Sequence, residues 1–328
     1  MKRLAVLIVT LGLAAAACAE PIGEGEPITT RPVGGAETGS TTTTAAPTTT
    51  AVTPTTEPTS TTSEVTTTTT AAPTTTAAPT ETMGVKVYFM LEDGGTEARP
   101  GPFLVPVYRE IPRTQAVATA AMRELIAGPT EAERTSVPAL SSAVPAGTML
   151  LGITIEDGLA TVDLSREFEA GGGTFSMAAR LAQAVFTVTQ FPTVQQVAFH
   201  LDGEPVAIFS SEGIIMDHPV GRDDYQDLTP FIFVDDPAYG APVGNPARVR
   251  GVAAVFEAQF NYVLANGDGL IIAEGSAMSD NGMGWGSFDF TIPYEVDHAQ
   301  PGSLIVFDYS AKDGTRESIR EYPVWLTP

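Results

Sequence analysis

From residue 83 onward the chain carries two hydrophobic rhythms, one of period two and one of period 3.6. The runs "VKVYFML" (85–91) and "FLVPVYREI" (103–111) are rich in β-branched and aromatic residues and bounded by Gly and Pro, which predicts strands. In "TQAVATAAMRELIAGPTEAE" (114–133), Val117, Ala121, Met122 and Leu125 recur at helical spacing. Thr114 is the expected N-cap of that helix and Gly128–Pro129 its stop. "TMLLGITIEDGLATVDLS" (148–165) reads as a hairpin turning at Asp157–Gly158. After three glycines (171–173), Met177, Leu181, Ala184, Val185 and Val188 form one helical stripe, with Thr174 or Ser176 expected to cap it. "VQQVAFHLDGEPV" (194–206) is a strand ending in an Asp202–Gly203 turn. The order β-β-α-β-β-α-β predicts an α+β domain over 83–210, with helices on one face of a sheet.

Past about Thr229 the helical rhythm stops. Six short strands follow, in "ARVRGVAAVFE", "AQFNYVLANG", "GLIIAEGSAM", "GSFDFTIP", "GSLIVFDYSAKDG" and "SIREYPVWL". Their spacing predicts an all-β immunoglobulin-like sandwich over 229–328, with Phe260, Tyr262 and Leu264 on one face. Residues 211–228 stand between the two domains, as a connector or as part of a shared interface.

The N-terminal part has neither rhythm. Lys2 and Arg3 precede the apolar run "LAVLIVTLGLAAAA" (4–17), which is shorter than the roughly 20 residues a membrane span needs and has the layout of a signal peptide. Cys18, the only cysteine, follows at once. "AAAC" resembles a bacterial lipobox, with Ala15 where leucine is usual, so Cys18 is the expected lipid-attachment site, anchoring the chain to the outer face of the membrane. Residues 18–82 are dominated by Thr and Pro and hold few large apolar side chains, so a disordered stalk is expected there.

Charge and composition narrow the function. Seventeen basic against 39 acidic residues give a net charge of −22, which excludes nucleic acid as a partner. The glycine loop lacks the Gly-Lys-Ser/Thr of a phosphate cradle, and Glu167 and Glu169 flank it, so an anion is not expected there. His200, His218 and His298 show no ligand spacing. The Asp pairs 223–224 and 235–236 lack the spacing of a calcium loop and read as solvated acid runs. Asp163 with Asp202 is the one pairing that a glycosidase reading would use, although both stand at strand ends where Asp commonly serves the backbone. No cofactor, metal or catalytic residue is expected. Met283 and Trp285, set among glycines in "SDNGMGWGS" (279–287), are the candidate ligand contacts, with Trp285 either exposed or folded back onto the sandwich.

Two resemblances fit these halves. Residues 85–210, through "VKVYFM" and "VFTVTQFPTVQQVAFHLDG", resemble the GerMN, or sporulation and spore germination, domain. Residues 231–327, through "VRGVAAVFEAQFNYVLANGDGLI" and "GSFDFTIP", resemble the Gmad2 immunoglobulin-like domain. The resemblance implies an extracytoplasmic envelope protein and brings no catalytic residue with it. The expected function is therefore non-catalytic binding or scaffolding at the cell wall, with wall glycan or an envelope protein as partner. A hydrolase acting on wall polymers through acidic residues and a protein-interaction module of an envelope complex are the alternatives.

Overall fold

The computed structural model describes residues 81–92, 97 and 99–328. The expected signal peptide, Cys18 and nearly all of the expected stalk lie outside the described residues.

The first domain runs β1 (Thr82–Glu92), β2 (Phe103–Pro112), α1 (Val117–Ala127), α2 (Glu131–Thr135), β3 (Ala139–Ser141), β4 (Leu150–Glu156), β5 (Leu159–Leu164), α3 (Thr174–Val188), β6 (Gln196–Leu201) and β7 (Glu204–Pro205). A small hairpin, β8 (Ile208–Phe209) with β9 (Ile214–Ile215), follows. The expected turns at Asp157–Gly158 and Asp202–Gly203 are present, all four residues in left-handed backbone. Gly128 ends α1 as expected, but its N-cap is Ala116, and Thr114 instead accepts the Ala116 N–H at 3.2 Å. Thr114 is two residues too early to reach the first turn.

The expected single sheet is two, in the orders β2-β1-β3 and β4-β5-β6-β7. Helix α3 explains the division. Its whole apolar stripe is buried, Met177 to Val188, but so are Gln183 and Thr187. Gln183 and Thr187 follow at i and i+4, so they share one face of the helix, and Gln190 stands in the turn just past its end. Gln190 Oε1 accepts the Lys86 N–H at 2.8 Å and its Nε2 donates to the Lys86 carbonyl at 2.6 Å. Gln183 Nε2 donates to the Tyr88 carbonyl at 2.9 Å, and the Thr187 hydroxyl accepts the Tyr88 N–H at 3.4 Å. On the side of β1 where a continuous sheet would set another strand, side chains of α3 and of Gln190 just after it satisfy the backbone instead.

The second domain holds β10 (Ile232–Asp236), β11 (Pro242–Val243), β12 (Ala247–Ala253), β13 (Gln259–Asn266), β14 (Ile271–Met278), β15 (Gly286–Ile292), β16 (Gln300–Tyr309) and β17 (Arg316–Leu326). They form a sandwich of β10-β12-β15 against β11-β17-β16-β13-β14. Phe260 and Leu264 are buried in its core, with Tyr262 packed at the margin, as the alternation predicts.

One strand serves both domains. Along β10, Ile232 and Val234 enter the sandwich core, while Phe233 between them is buried in the core of the first domain. The close approach of β12 behind it requires glycine: a Cβ at Gly251 would lie 1.9 Å from the Phe233 carbonyl oxygen. Residues 211–228 pack as part of the first domain, burying Met216, Val220 and Tyr225 in its core. Reciprocal backbone bonds tie β2 to the second domain, Tyr108 N–H to the Tyr239 carbonyl and Tyr239 N–H to the Pro106 carbonyl, both 2.9 Å.

Candidate functional site

The glycine loop is built around a cation. Gly171 (φ 63°) and Gly172 (φ 89°) take left-handed backbone that lets the loop turn its carbonyls inward. Arg180, only 2% exposed, fills the space. Its Nη1 donates to the carbonyls of Phe168 (2.7 Å) and Ala170 (3.1 Å), and its Nη2 to that of Gly171 (3.0 Å) and to the Ser176 hydroxyl (3.1 Å). A ring of carbonyls closed on the protein's own guanidinium repels an anion. The helix N-cap is Gly173 with no side-chain cap, so neither Thr174 nor Ser176 takes the role expected of it. Thr174 donates to Glu212 at 2.6 Å, and Ser176 accepts from Arg180.

The carboxylates at the strand ends serve the backbone. Asp163 accepts the Gly203 N–H at 3.0 Å, and Asp202 accepts the Arg166 N–H at 3.3 Å. His218 and His298 are exposed, each 2.6 Å from the aspartate before it, and His200 lies half-buried on β6. Among the described residues no group of three or more His, Cys, Asp and Glu is placed to hold a metal ion.

The densest charge in the described chain stands where the domains meet. A bulge in β10 between Val234 and Asp236 lets two consecutive aspartates face the same way. Lys86 Nζ on β1 reaches Asp235 Oδ2 at 2.7 Å and Asp236 Oδ1 at 3.3 Å. The Tyr88 hydroxyl donates to Asp235 Oδ1 at 2.5 Å, and Arg222 Nη1 meets the same oxygen at 3.1 Å. Arg222 is itself fixed by Thr189 (2.9 Å), the Tyr88 hydroxyl (2.9 Å) and the Phe186 carbonyl (3.2 Å). Arg250 pairs with Asp236 from the sandwich side. Asp235 and Asp236, read from sequence as solvated acids, are thus the hub of an alternating series, Arg222–Asp235–Lys86–Asp236–Arg250.

The electrostatics follow from that geometry. Burial opposes ionisation of Asp235, but the Arg222 and Lys86 charges prevail and hold its carboxyl well below the usual range. Burial likewise works to lower the pKa of Lys86, yet the Tyr88 oxygen and the two aspartates raise it above its ordinary value. Asp235, Lys86 and Arg222 stay ionised through neutral pH, and each oxygen of Asp235 is occupied.

A second lock lies nearby. The side chain of Glu97 is enclosed, accepting the Phe231 N–H (3.2 Å) and an Arg320 Nη2 proton (3.2 Å). Burial pushes the Glu97 pKa up against the lowering effect of those two donors. Arg99 donates to the carbonyls of Asp227 (2.8 Å) and Thr229 (2.7 Å) and lies 4.2 Å from the Phe231 ring centre.

Two clefts flank the junction. One, of about 500 Å³, exposes Lys86, Arg222 and Arg250, all paired. The other, of about 580 Å³, is walled mainly by apolar groups from both domains, including Val107, Pro138, Leu140, Tyr239 and Pro323.

Met283 and Trp285 share the loop between β14 and β15. Met283 is 99% exposed, while Trp285 is half-buried. Asn281 shapes the loop, accepting the Met283 N–H at 3.0 Å and donating to the Trp285 carbonyl at 3.1 Å.

Sequence reasoning missed Lys86, Arg180, Arg222 and Asp235. A signal existed for Lys86, a single charge within an apolar strand, and for the Gln183–Thr187–Gln190 spacing in an apolar helix. Asp235 carried none, because two of its partners, Lys86 and Tyr88, lie about 150 residues away.

Comparison with known proteins adds the following. The family described as sporulation and spore germination matches residues 86–207, and the immunoglobulin-like domain of bacterial spore germination, Gmad2, matches 231–315. No curated protein matches the chain. Among solved structures, the first GerMN domain of the sporulation protein GerM from Bacillus subtilis is 17% identical, with TM-score 0.36, covering 43% of this chain and 99% of that one. The tandem GerMN domains of the same protein are 15% identical, with TM-score 0.38, covering 65% of this chain and 62% of that one, so the likeness spans less than two thirds of the tandem pair. A candidate lipoprotein from Clostridium perfringens is 22% identical, with TM-score 0.30, covering 45% of this chain and 93% of that one.

Proposed function

Since the chain carries a GerMN domain of the sporulation and spore germination family followed by a Gmad2 immunoglobulin-like domain, we propose that it is a non-catalytic binding or scaffolding protein of the cell envelope, anchored through a lipid on Cys18. The observation that carries this reading is the full pairing of the charge at the domain junction. Asp235, Lys86 and Arg222 hold one another and join the domains, and a group so paired is not poised to exchange a proton with a substrate. Domains fixed in this way present constant surfaces. The apolar cleft of about 580 Å³ draws walls from both of them, and concave apolar sites between domains are common ligand sites.

The ligand in this proposal is wall glycan, contacted by the Met283–Trp285 loop. Met283 stands clear of the sandwich, and the half-buried Trp285 beside it carries the kind of ring that stacks on a sugar. Among the described residues no helix is long and apolar enough to cross a membrane, which accords with attachment by lipid.

Co-sedimentation of the purified protein with isolated cell walls, before and after stripping of attached polymers, tests the proposal. Saturable binding that survives stripping and weakens in Trp285→Ala is expected, with no clearing of wall material in a zymogram. Clearing would make the protein a hydrolase. No binding to either preparation would overturn the glycan reading and leave an envelope protein as the partner to seek.

A further inference from the structure

Strand β14 is the outermost of its sheet, pairing with β13 and with nothing on its other side. Its outward N–H and C=O groups are a template for one more strand. Proteins usually blunt such an edge with Lys, Pro or a bulge on the open side. Ile271–Met278 has neither Lys nor Pro, its one bulge lies at the Ile271 end so that Ala273–Met278 runs regular, and Glu274 is its one charge. The free side of β1 is by contrast bonded, by Gln183 of α3 and by Gln190 just past its end.

Exposed apolar side chains gather at the same place. Of the fourteen large ones exposed among the described residues, four stand on β14 or at its ends, so the edge is marked as an interaction surface. Leu270 (63%) and Ile271 (59%) are at one end, Met278 (65%) and Phe256 (72%) at the other. Phe256 belongs there because the turn 256–258 is held to the end of β14, Ser279 N–H donating to the Ala258 carbonyl at 2.9 Å.

We propose that a second copy of this chain adds its own β14 antiparallel to this one, about a twofold axis through Gly275. The strand is complementary to itself under that operation. It lays the Leu270–Ile271 end of one copy against the Met278–Phe256 end of the other, so a single symmetric contact covers both apolar ends. Directly opposite residues of an antiparallel pair share a face, so with Gly275 on the axis Glu274 faces Ser276 of the partner subunit. The only carboxylate on the edge then meets a hydroxyl rather than its own copy, so a chain of net charge −22 joins without setting like charges opposite each other.

Sedimentation velocity of the full chain in detergent, with Cys18→Ser so that no lipid drives association, tests this. A concentration-dependent dimer is expected. Ser276→Glu sets two carboxylates opposite each other at both symmetric positions and weakens the dimer about tenfold. Ser276→Lys faces Glu274 of the partner subunit, and its dimer is as tight or tighter. Both positions are exposed, so the fold tolerates either change. A monomer at every concentration, or a dimer that treats Glu and Lys alike, overturns the proposal.

Discussion

The open sides of β1 and β14 are handled in opposite ways. Beside β1 the backbone is bonded by Gln183 and Thr187 of α3 and by Gln190 just past its end, and the side chains of Lys86 and Tyr88 are gripped by Asp235 across the junction. Beside β14 nothing is bonded, and apolar side chains stand in solvent at both ends. β1 is the longer and the more continuously apolar, Thr82–Glu92 against Ile271–Met278, but neither property closes an open side. What differs is the supply of polar side chains at helical spacing on a neighbouring element. The molecule spends its buried polar chemistry on closing the junction and leaves its apolar edge for contact.

The largest expected effect breaks the closed side. Asp235→Ala leaves Lys86 and Arg222 mostly buried with no shared anion, and removing one partner of such a cluster costs about 3 kcal/mol or more. Chemical denaturation measures it; a loss below about 1 kcal/mol would mean the cluster is incidental.

Gln183→Leu comes next. It keeps the volume but strips the partners of the Tyr88 carbonyl and of the Ala143 N–H (2.7 Å), at a cost of about 1–3 kcal/mol. An unchanged denaturation midpoint would show that water replaces the amide, and that the closed side is less dry than its burial implies.

Acid produces a smaller change, and its sign is fixed by the pKa directions. The folded pKa of Asp235 is lowered, so its contribution is present above the unfolded value of about 3.9 and is lost as pH falls below it. The folded pKa of Glu97 is raised, so Glu97 contributes in the opposite sense, gaining as pH falls. Stability of the wild type should therefore drop below about pH 4, and Asp235→Asn should flatten that drop. Parallel acid profiles for the two proteins would remove Asp235 from the account.

Much of the fold was legible because it is local. The Asp157–Gly158 and Asp202–Gly203 turns, the Gly128 stop and the stripe of α3 are decided by residues a few positions apart. The strands of the sandwich follow from period-two alternation in the same way. The junction was not legible, because it depends on pairings such as Lys86 with Asp235 and Arg320 with Glu97. "FVDD" reads alike whether its aspartates are solvated or buried, and only the bulge in β10 and the arrival of β1 decide. The glycine loop was half legible. That it would not hold phosphate followed from the missing lysine, but that it would hold Arg180 did not, since that arginine sits in an ordinary helical stripe.

The central claim is that the shared strand β10 and its ion series make the two domains one cooperative unit. The chain supplies its own separate probes. Among the described residues every α-helix lies in the first domain, and both tryptophans, Trp285 and Trp325, lie in the second. Denaturant unfolding followed on the same samples by helical circular dichroism and by tryptophan fluorescence should give coincident transitions, which separate in Asp235→Ala. Two distinct midpoints in the wild-type protein would contradict the claim.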